Sequence, residues 1–373
     1  MTYLEAVALI KKIEQKHDMM LVKYKGVSVW PLLRINIIDA ITGNNVTMKS
    51  TGVSAVKQVL STLFYYNPLN GFCKHKVWLF TAYERRKIIN GRKILRVSGC
   101  VTEAEPDTLV IEKPSPDQWS HPRSEVPEKA IVSESWLLFM VHALAILSKP
   151  FSIKLEKEKL LRDVLDGYGI KFDYVSSLKV LISQKQIFDV VLAFLPKPKK
   201  VIIECPYTIM GYVWSLHEHG IPVIELQHGV LNDKHYAYNS EYRSNELYPD
   251  TLCVFGDDEY NYMQSDGCYY CKDVRKTGLY YMELAKNSFQ VDPFAGYRSH
   301  YKHIVLVAGQ RGYEDQMAKY VREAAKVTSE CLYVYVPRNT DAGLSFKAPN
   351  IVYRPGINIY AVSYTHLRAH ETL

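Results

Sequence analysis

Apolar residues recur at helical spacing over residues 3–17, and Trp30-Pro31 opens a second run with proline near its first turn, so the chain is predicted to begin with two helices. Tyr24-Lys25-Gly26-Val27 is the turn between them. The run Val77-Trp78-Leu79-Phe80-Thr81 reads as a buried strand, Ile89-Asn90-Gly91-Arg92-Lys93 as a hairpin turn, and 107–112 as another strand. Residues 136–147 are almost wholly apolar, which predicts a buried helix, with membrane contact as the alternative. The run is shorter than the ~20 residues a spanning helix needs.

From about residue 175 the pattern changes to strands alternating with helices, the signature of parallel sheets with crossover helices. The predicted members are a helix over 175–195, a strand over 200–204, a helix over 208–219, and strands over 222–226 and 251–255. A second unit starts with a strand at 303–308, then a helix over 314–327, a strand over 332–336 and a short one at 351–353. The polar stretch around Asp292-Pro293 and Gly296 is the expected linker. The expected division is therefore residues 1–290, a linker at 291–302, and a C-terminal unit at 303–361. Residues 362–373 read as a translated sequencing adapter, so the C-terminal unit is expected to be cut short, and the tempting pair His366 and His370 is given no metal role.

Composition narrows the classes. A chain of 373 residues, 47% of them hydrophobic, can bury more than one core. The formal charge of +7 suits anionic ligands such as nucleotides, phosphates or acidic lipid headgroups, without choosing among them. Lys197-Pro198-Lys199-Lys200 reads as a solvated loop, and no nucleic-acid partner is expected. Seven cysteines are scattered, and the close pair Cys268 and Cys271 lacks the second pair of a four-ligand zinc site. Reduced thiols in a cytoplasmic protein are the expectation, since the first residues also lack the order of a signal peptide.

The densest chemistry is Glu225-Leu226-Gln227-His228-Gly229, at the end of the strand predicted over 222–226. Ligands of open parallel sheets bind beyond the carboxyl ends of strands. A histidine there can take a proton from an attacking hydroxyl, and a glycine lets a substrate approach the backbone. A histidine that only caps the next element would look the same in sequence. Tyr236, Tyr238 and Tyr242 suit either a sugar-stacking wall or loop packing, and His217 and His219, flanking Glu218, read as a helix end.

Gln227-His228-Gly229, then His235-Tyr236-Ala237-Tyr238, then Tyr248-Pro249-Asp250 running to Phe255-Gly256, then Thr277-Gly278-Leu279, resembles bacterial capsule and surface-polysaccharide glycosyltransferases. It is similar also to their relatives that transfer glycerol phosphate from CDP-glycerol, or sialic acid. The resemblance extends upstream to Trp30-Pro31-Leu32-Leu33-Arg34 and Glu84-Arg85-Arg86. It implies an α/β fold of GT-B-like type: two Rossmann-like domains, the first holding a glycan or lipid-linked acceptor and the second a nucleotide-sugar donor. His228 is implied as general base or donor-phosphate ligand, with Glu225 beside it. Gln227, Gly229, His235, Phe255 and Gly256 are implied at the substrate. Gly309-Gln310-Arg311-Gly312, after the strand at 303–308, suits a phosphate. The family often has a His-Pro pair where this chain reads Val336-Pro337-Arg338-Asn339, which leaves Arg338 as the donor contact. The resemblance implies no metal or cofactor beyond the substrate, and peripheral contact with the inner membrane or with polysaccharide-assembly proteins. A glycerol- or sugar-phosphate transferase, or a non-catalytic assembly partner, are the alternatives. Glu84-Arg85-Arg86-Lys87 reads as an anionic-lipid contact or a solvated face.

Overall fold

Seven strands form one sheet: β1 (Val77–Ala82), β2 (Leu109–Lys113), β3 (Ile131–Ser133), β4 (Lys200–Ile203), β5 (Val223–Leu226), β6 (Thr251–Val254) and β7 (Asp273–Lys276). Their spatial order in this computed structural model is β7-β6-β5-β4-β1-β2-β3, and every pairing is parallel. The structure describes residues 1–43, 75–82, 85–114, 123–265, 270–288, 294–310, 313–338 and 343–355, with Leu60 and Ile357 besides. The expectations at Glu84, Cys268, Arg311, Gly312, Asn339, His366 and His370 lie outside the described residues.

Both faces of such a sheet are covered, so its central strands are apolar throughout rather than alternating. Val77-Trp78-Leu79-Phe80 and Leu109-Val110-Ile111 are buried without a break. The parallel pattern thus begins near residue 77, well before the alternation is visible in the sequence. It was hidden because β1 pairs with β4, whose residues lie far along the chain. β3 and β7, of three and four residues, are too short to show a periodicity of their own.

The chain divides into two compact units, residues 1–87 with 93–279, and residues 280–373 with the short segment 88–92. In the first unit, α1 (Tyr3–Lys16) starts with a capping box between Thr2 and Glu5, and α2 (Trp30–Thr42) has Pro31 in its first turn and ends on Gly43 in the left-handed conformation. Trp30 Nε1 and Arg34 Nε both donate to Glu14 Oε1, at 2.8 and 2.7 Å, so α1 and α2 share a buried polar contact inside an apolar interface. The predicted hairpin turn is present at Asn90 and Gly91, both with positive φ.

The helix predicted over 136–147 is α3 (Ser135–Leu147), but it buries only one face. Leu137, Val141 and Ala145 pack inward, while Phe139, Ile146 and Leu147 are exposed. Uniform hydrophobicity hides which face turns inward, and only the neighbouring α4 (Tyr174–Phe194) decides it. No helix of the described residues is long and apolar enough to cross a membrane. Where α4 meets α5 (Met210–Glu218), Gly211 allows a close approach: a Cβ there would stand 2.9 Å from the Lys185 backbone nitrogen.

The second unit holds β8 (His303–Ala308), β9 (Cys331–Val336) and β10 (Ile351–Tyr353), parallel and in chain order, with α6 (Glu314–Val327) between the first two. Ile304, Leu332, Val334 and Val336 fill one side of this sheet, and Ala318, Val321, Ala325 and Tyr335 the other. The α/β class with parallel sheets expected from the alternation is what the structure contains.

Candidate functional site

The strand order turns back between β1 and β4, and it is outside the carboxyl ends of the strands at such a point that open α/β sheets leave a crevice. Glu204, the residue after β4, stands there. It accepts from Ser98 Oγ at 2.5 Å and from Thr81 Oγ1 at 2.9 Å, and Arg85 Nε lies 3.8 Å away. Burial raises the affinity of this carboxyl for its proton, against the two hydroxyls and the nearby arginines.

The neighbouring strand β5 delivers the predicted constellation. Glu225, still in the strand, is completely buried, and it accepts from Tyr238 Oη at 2.5 Å and from Tyr270 Oη at 2.7 Å. Burial pushes its pKa up to about 8. Gln227 staples the strand ends: its Oε1 accepts from the Phe255 N–H at 2.8 Å, and its Nε2 donates to the Gly229 carbonyl at 2.7 Å. Phe255 and Gly256 are therefore held next to Gly229 by one amide side chain, and Gly256 begins the helix Asp257–Met263.

His228 is buried, with Nε2 3.2 Å from Tyr207 Oη and Nδ1 3.2 Å from Tyr238 Oη. Tyr238 Oη gives its proton to the hydrogen bond with Glu225. Nδ1–H then donates to the phenol oxygen, and the Nε2 lone pair faces Tyr207. Desolvation first, then the charges of Arg85 and Arg96 and the neighbouring His235, press the His228 pKa down to about 3, so the ring is neutral across the physiological range. His235 stands edge-on to it, with ring centres 6.5 Å apart, and its Nδ1 is buried with no partner among the described residues.

The tyrosines divide. Tyr236 Oη donates to Asp39 and Tyr242 Oη to the Glu14 carbonyl, so both tie their loop to α1 and α2. Tyr238 has its ring buried and its hydroxyl engaged by Glu225 and His228. The charge run divides too. Arg86 is buried between Glu112 at 2.5 Å and Glu128 at 2.8 Å, whereas Arg85 stays half-buried beside Glu204. His217 and His219 sit at the end of α5, where His217 meets the Glu246 carbonyl and Asp250, and His219 the Ser215 carbonyl.

In the second unit, Gly309 follows β8, and Arg338 is exposed just beyond β9. The Glu314 carboxylate bridges them locally: it accepts from the Arg338 N–H at 2.7 Å and from Tyr335 Oη at 2.7 Å, and a Cβ on Gly309 would stand 2.8 Å from its Oε1. Glu314 and Asp315 thus place negative charge in the first turn of α6. Gln310 follows Gly309 in the described turn.

Four polar residues at the strand ends went unnoticed in the sequence: Arg96, Glu134, Glu204 and Tyr207. Glu134 follows β3, is buried beside Lys113, and is pushed up to about 7 by burial. Glu204 was predicted as the last strand residue, and asking which polar group follows each apolar run would have found it. Arg96 carries no such signal. Among the described residues, no group of His, Cys, Asp and Glu is placed to hold a metal ion.

No family model matches the chain, and no curated protein sequence matches it. Solved structures that resemble it include a UDP-GlcNAc 2-epimerase from Neisseria meningitidis bound to UDP-GlcNAc, at 12% identity over 77% of this chain and 74% of that one, with a TM-score of 0.40. An α,α-trehalose 6-phosphate synthase from Burkholderia multivorans has 9% identity over 78% and 74%, also at 0.40. The UDP-GlcNAc 2-epimerase of Methanocaldococcus jannaschii has 8% identity over 78% and 75%, at 0.38. Likeness at this level lends the chain neither an activity nor a site.

Proposed function

We propose that the chain is a glycosyltransferase of GT-B-like architecture that moves a sugar from a nucleotide-linked donor to a hydroxyl of a glycan or lipid-linked acceptor, in bacterial surface-polysaccharide assembly. The observation that carries this reading is His228: a neutral imidazole at the carboxyl end of β5, next to the point where strand order reverses, flanked by two arginines and oriented through Tyr238 by a buried carboxyl. In the proposed step the acceptor hydroxyl gives its proton to Nε2 of His228 while its oxygen bonds to the anomeric carbon. The bond from that carbon to the donor phosphate breaks, and the nucleotide leaves with the electron pair. Arg85 and Arg96 depress the basicity of the free ring, and an anion seated on them offsets that effect, so substrate binding and proton acceptance rise together. Glu225 is a positioning residue here, since its carboxyl reaches the imidazole through Tyr238. The second unit is proposed to hold the donor near Gly309 and Arg338, and the protein to work at the cytoplasmic face of the inner membrane.

The test is nucleotide release from a panel of nucleotide sugars with the full chain. His228→Ala is expected to lower kcat about 10²- to 10⁴-fold with the thermal transition retained. An unchanged kcat in that variant rejects the role of His228. Turnover of CDP-glycerol with no sugar-transfer product would replace the reading by phosphate transfer, which the two arginines also suit.

A further inference from the structure

The backbone N–H of Arg96 donates to the Arg85 carbonyl at 3.1 Å, so the residues flanking the hairpin bring two arginines side by side. Both side chains then turn to one atom. Arg85 Nη1 and Arg96 Nη2 donate to the His228 carbonyl oxygen, at 3.4 and 3.2 Å. Two guanidinium groups gathered on one neutral oxygen repel each other, and the oxygen offsets little of that charge. Among the described residues the carboxyl paired with Arg85 is Glu204, 3.8 Å from its Nε and already accepting from Ser98 and Thr81.

Each guanidinium has five N–H donors in a planar fork. Among the described residues Arg85 and Arg96 each give a single side-chain hydrogen bond, and both are half-buried rather than buried. Arg34 and Arg86, in the same unit, are buried and bound on several sides by carboxylates and carbonyls.

We propose that Arg85 and Arg96 form an anion site within the first unit that takes a phosphate or diphosphate group of the substrate facing His228. The word substrate rests on the transferase reading, whereas the anion site itself rests on the geometry alone. A tetrahedral phosphate offers enough oxygens to engage both forks at once, and a single carboxylate fills one fork. The group belongs either to a nucleotide or to a phosphorylated acceptor.

Inorganic phosphate is titrated into the full chain while the His228 ring protons are followed by NMR across pH. Saturable binding that moves the His228 titration midpoint to higher pH supports the site. Absence of saturation, or an unmoved midpoint, overturns it. Arg85→Gln and Arg96→Gln are each expected to weaken phosphate binding about 10-fold or more, and undiminished binding in both folded variants also overturns it. Should a variant fail to fold, the wild-type titration decides alone, since it needs no substitution. Tighter binding of uridine diphosphate than of glycerol 3-phosphate assigns the group to a nucleotide, and the reverse order assigns it to an acceptor. Phosphate binding at His228 without any sugar-nucleotide turnover leaves the site standing and removes the transferase reading.

Discussion

Arg34 and Arg85 carry the same side chain in the same unit, and they do opposite things. Arg34 is buried with its fork closed: Nε and Nη2 reach the two oxygens of Glu14, while Nη1 and Nη2 reach the carbonyls of Tyr236 and Asn239, each at 2.6 Å. It joins α1 and α2 to the loop that carries His235, Tyr236 and Tyr238. Among the described residues Arg85 and Arg96 each give one side-chain hydrogen bond, to the His228 carbonyl, and stay half-buried. A closed fork holds a fold together, and an open fork beside a neutral imidazole has capacity left for a ligand.

The largest effect should come from breaking the closed fork. Arg34→Met strands the buried Glu14 carboxylate and is expected to cost ~3–5 kcal/mol in urea denaturation of the full chain, and adding Glu14→Leu should recover much of it. The same change at Arg85 is expected to cost ~1 kcal/mol or less. Equal losses at the two positions would erase the distinction.

A middle-sized effect sharpens it with a carboxyl that has no arginine at all. Glu225 faces tyrosine hydroxyls, and its folded pKa of about 8 stands above its unfolded value. The folded state therefore holds the proton more tightly. This stabilisation is complete below the unfolded pKa of ~4.3 and is lost as pH rises through about 8. Wild-type stability should fall as pH rises over that window, and Glu225→Gln should flatten the slope. An identical slope in the variant would place the titration elsewhere.

The smallest effect belongs to an arginine in water. Arg275 pairs with Asp273 at 2.6 Å but is largely exposed, and Arg275→Ala is expected to shift stability by ~0.5 kcal/mol or less. A larger loss would show that burial is the wrong axis for ranking these arginines.

Much of the scaffold was legible because each of its strongest signals is local. The helix starts at Thr2 and Pro31, the turn at Asn90-Gly91, and the strand that ends next to His228 each follow from a few adjacent residues. The site was legible only at its centre. In Arg85-Arg86 nothing in the sequence says that the second is enclosed by Glu112 and Glu128 while the first stays half-buried beside Glu204, because those carboxyls come from distant segments of the chain. Arg96 was invisible, since its meaning arises from backbone pairing with Arg85.

By itself the sequence determined the secondary elements with strong periodicity, the α/β class, and the placement of His228 just past a strand, because those depend on short-range sterics and hydrophobic pattern. Only the tertiary structure decided that β1 pairs with β4, that α3 turns one face to solvent, and that two arginines converge on the His228 carbonyl. Those outcomes depend on which distant segments exclude water together, and a pairing between residues far apart in the chain leaves no periodic trace along it.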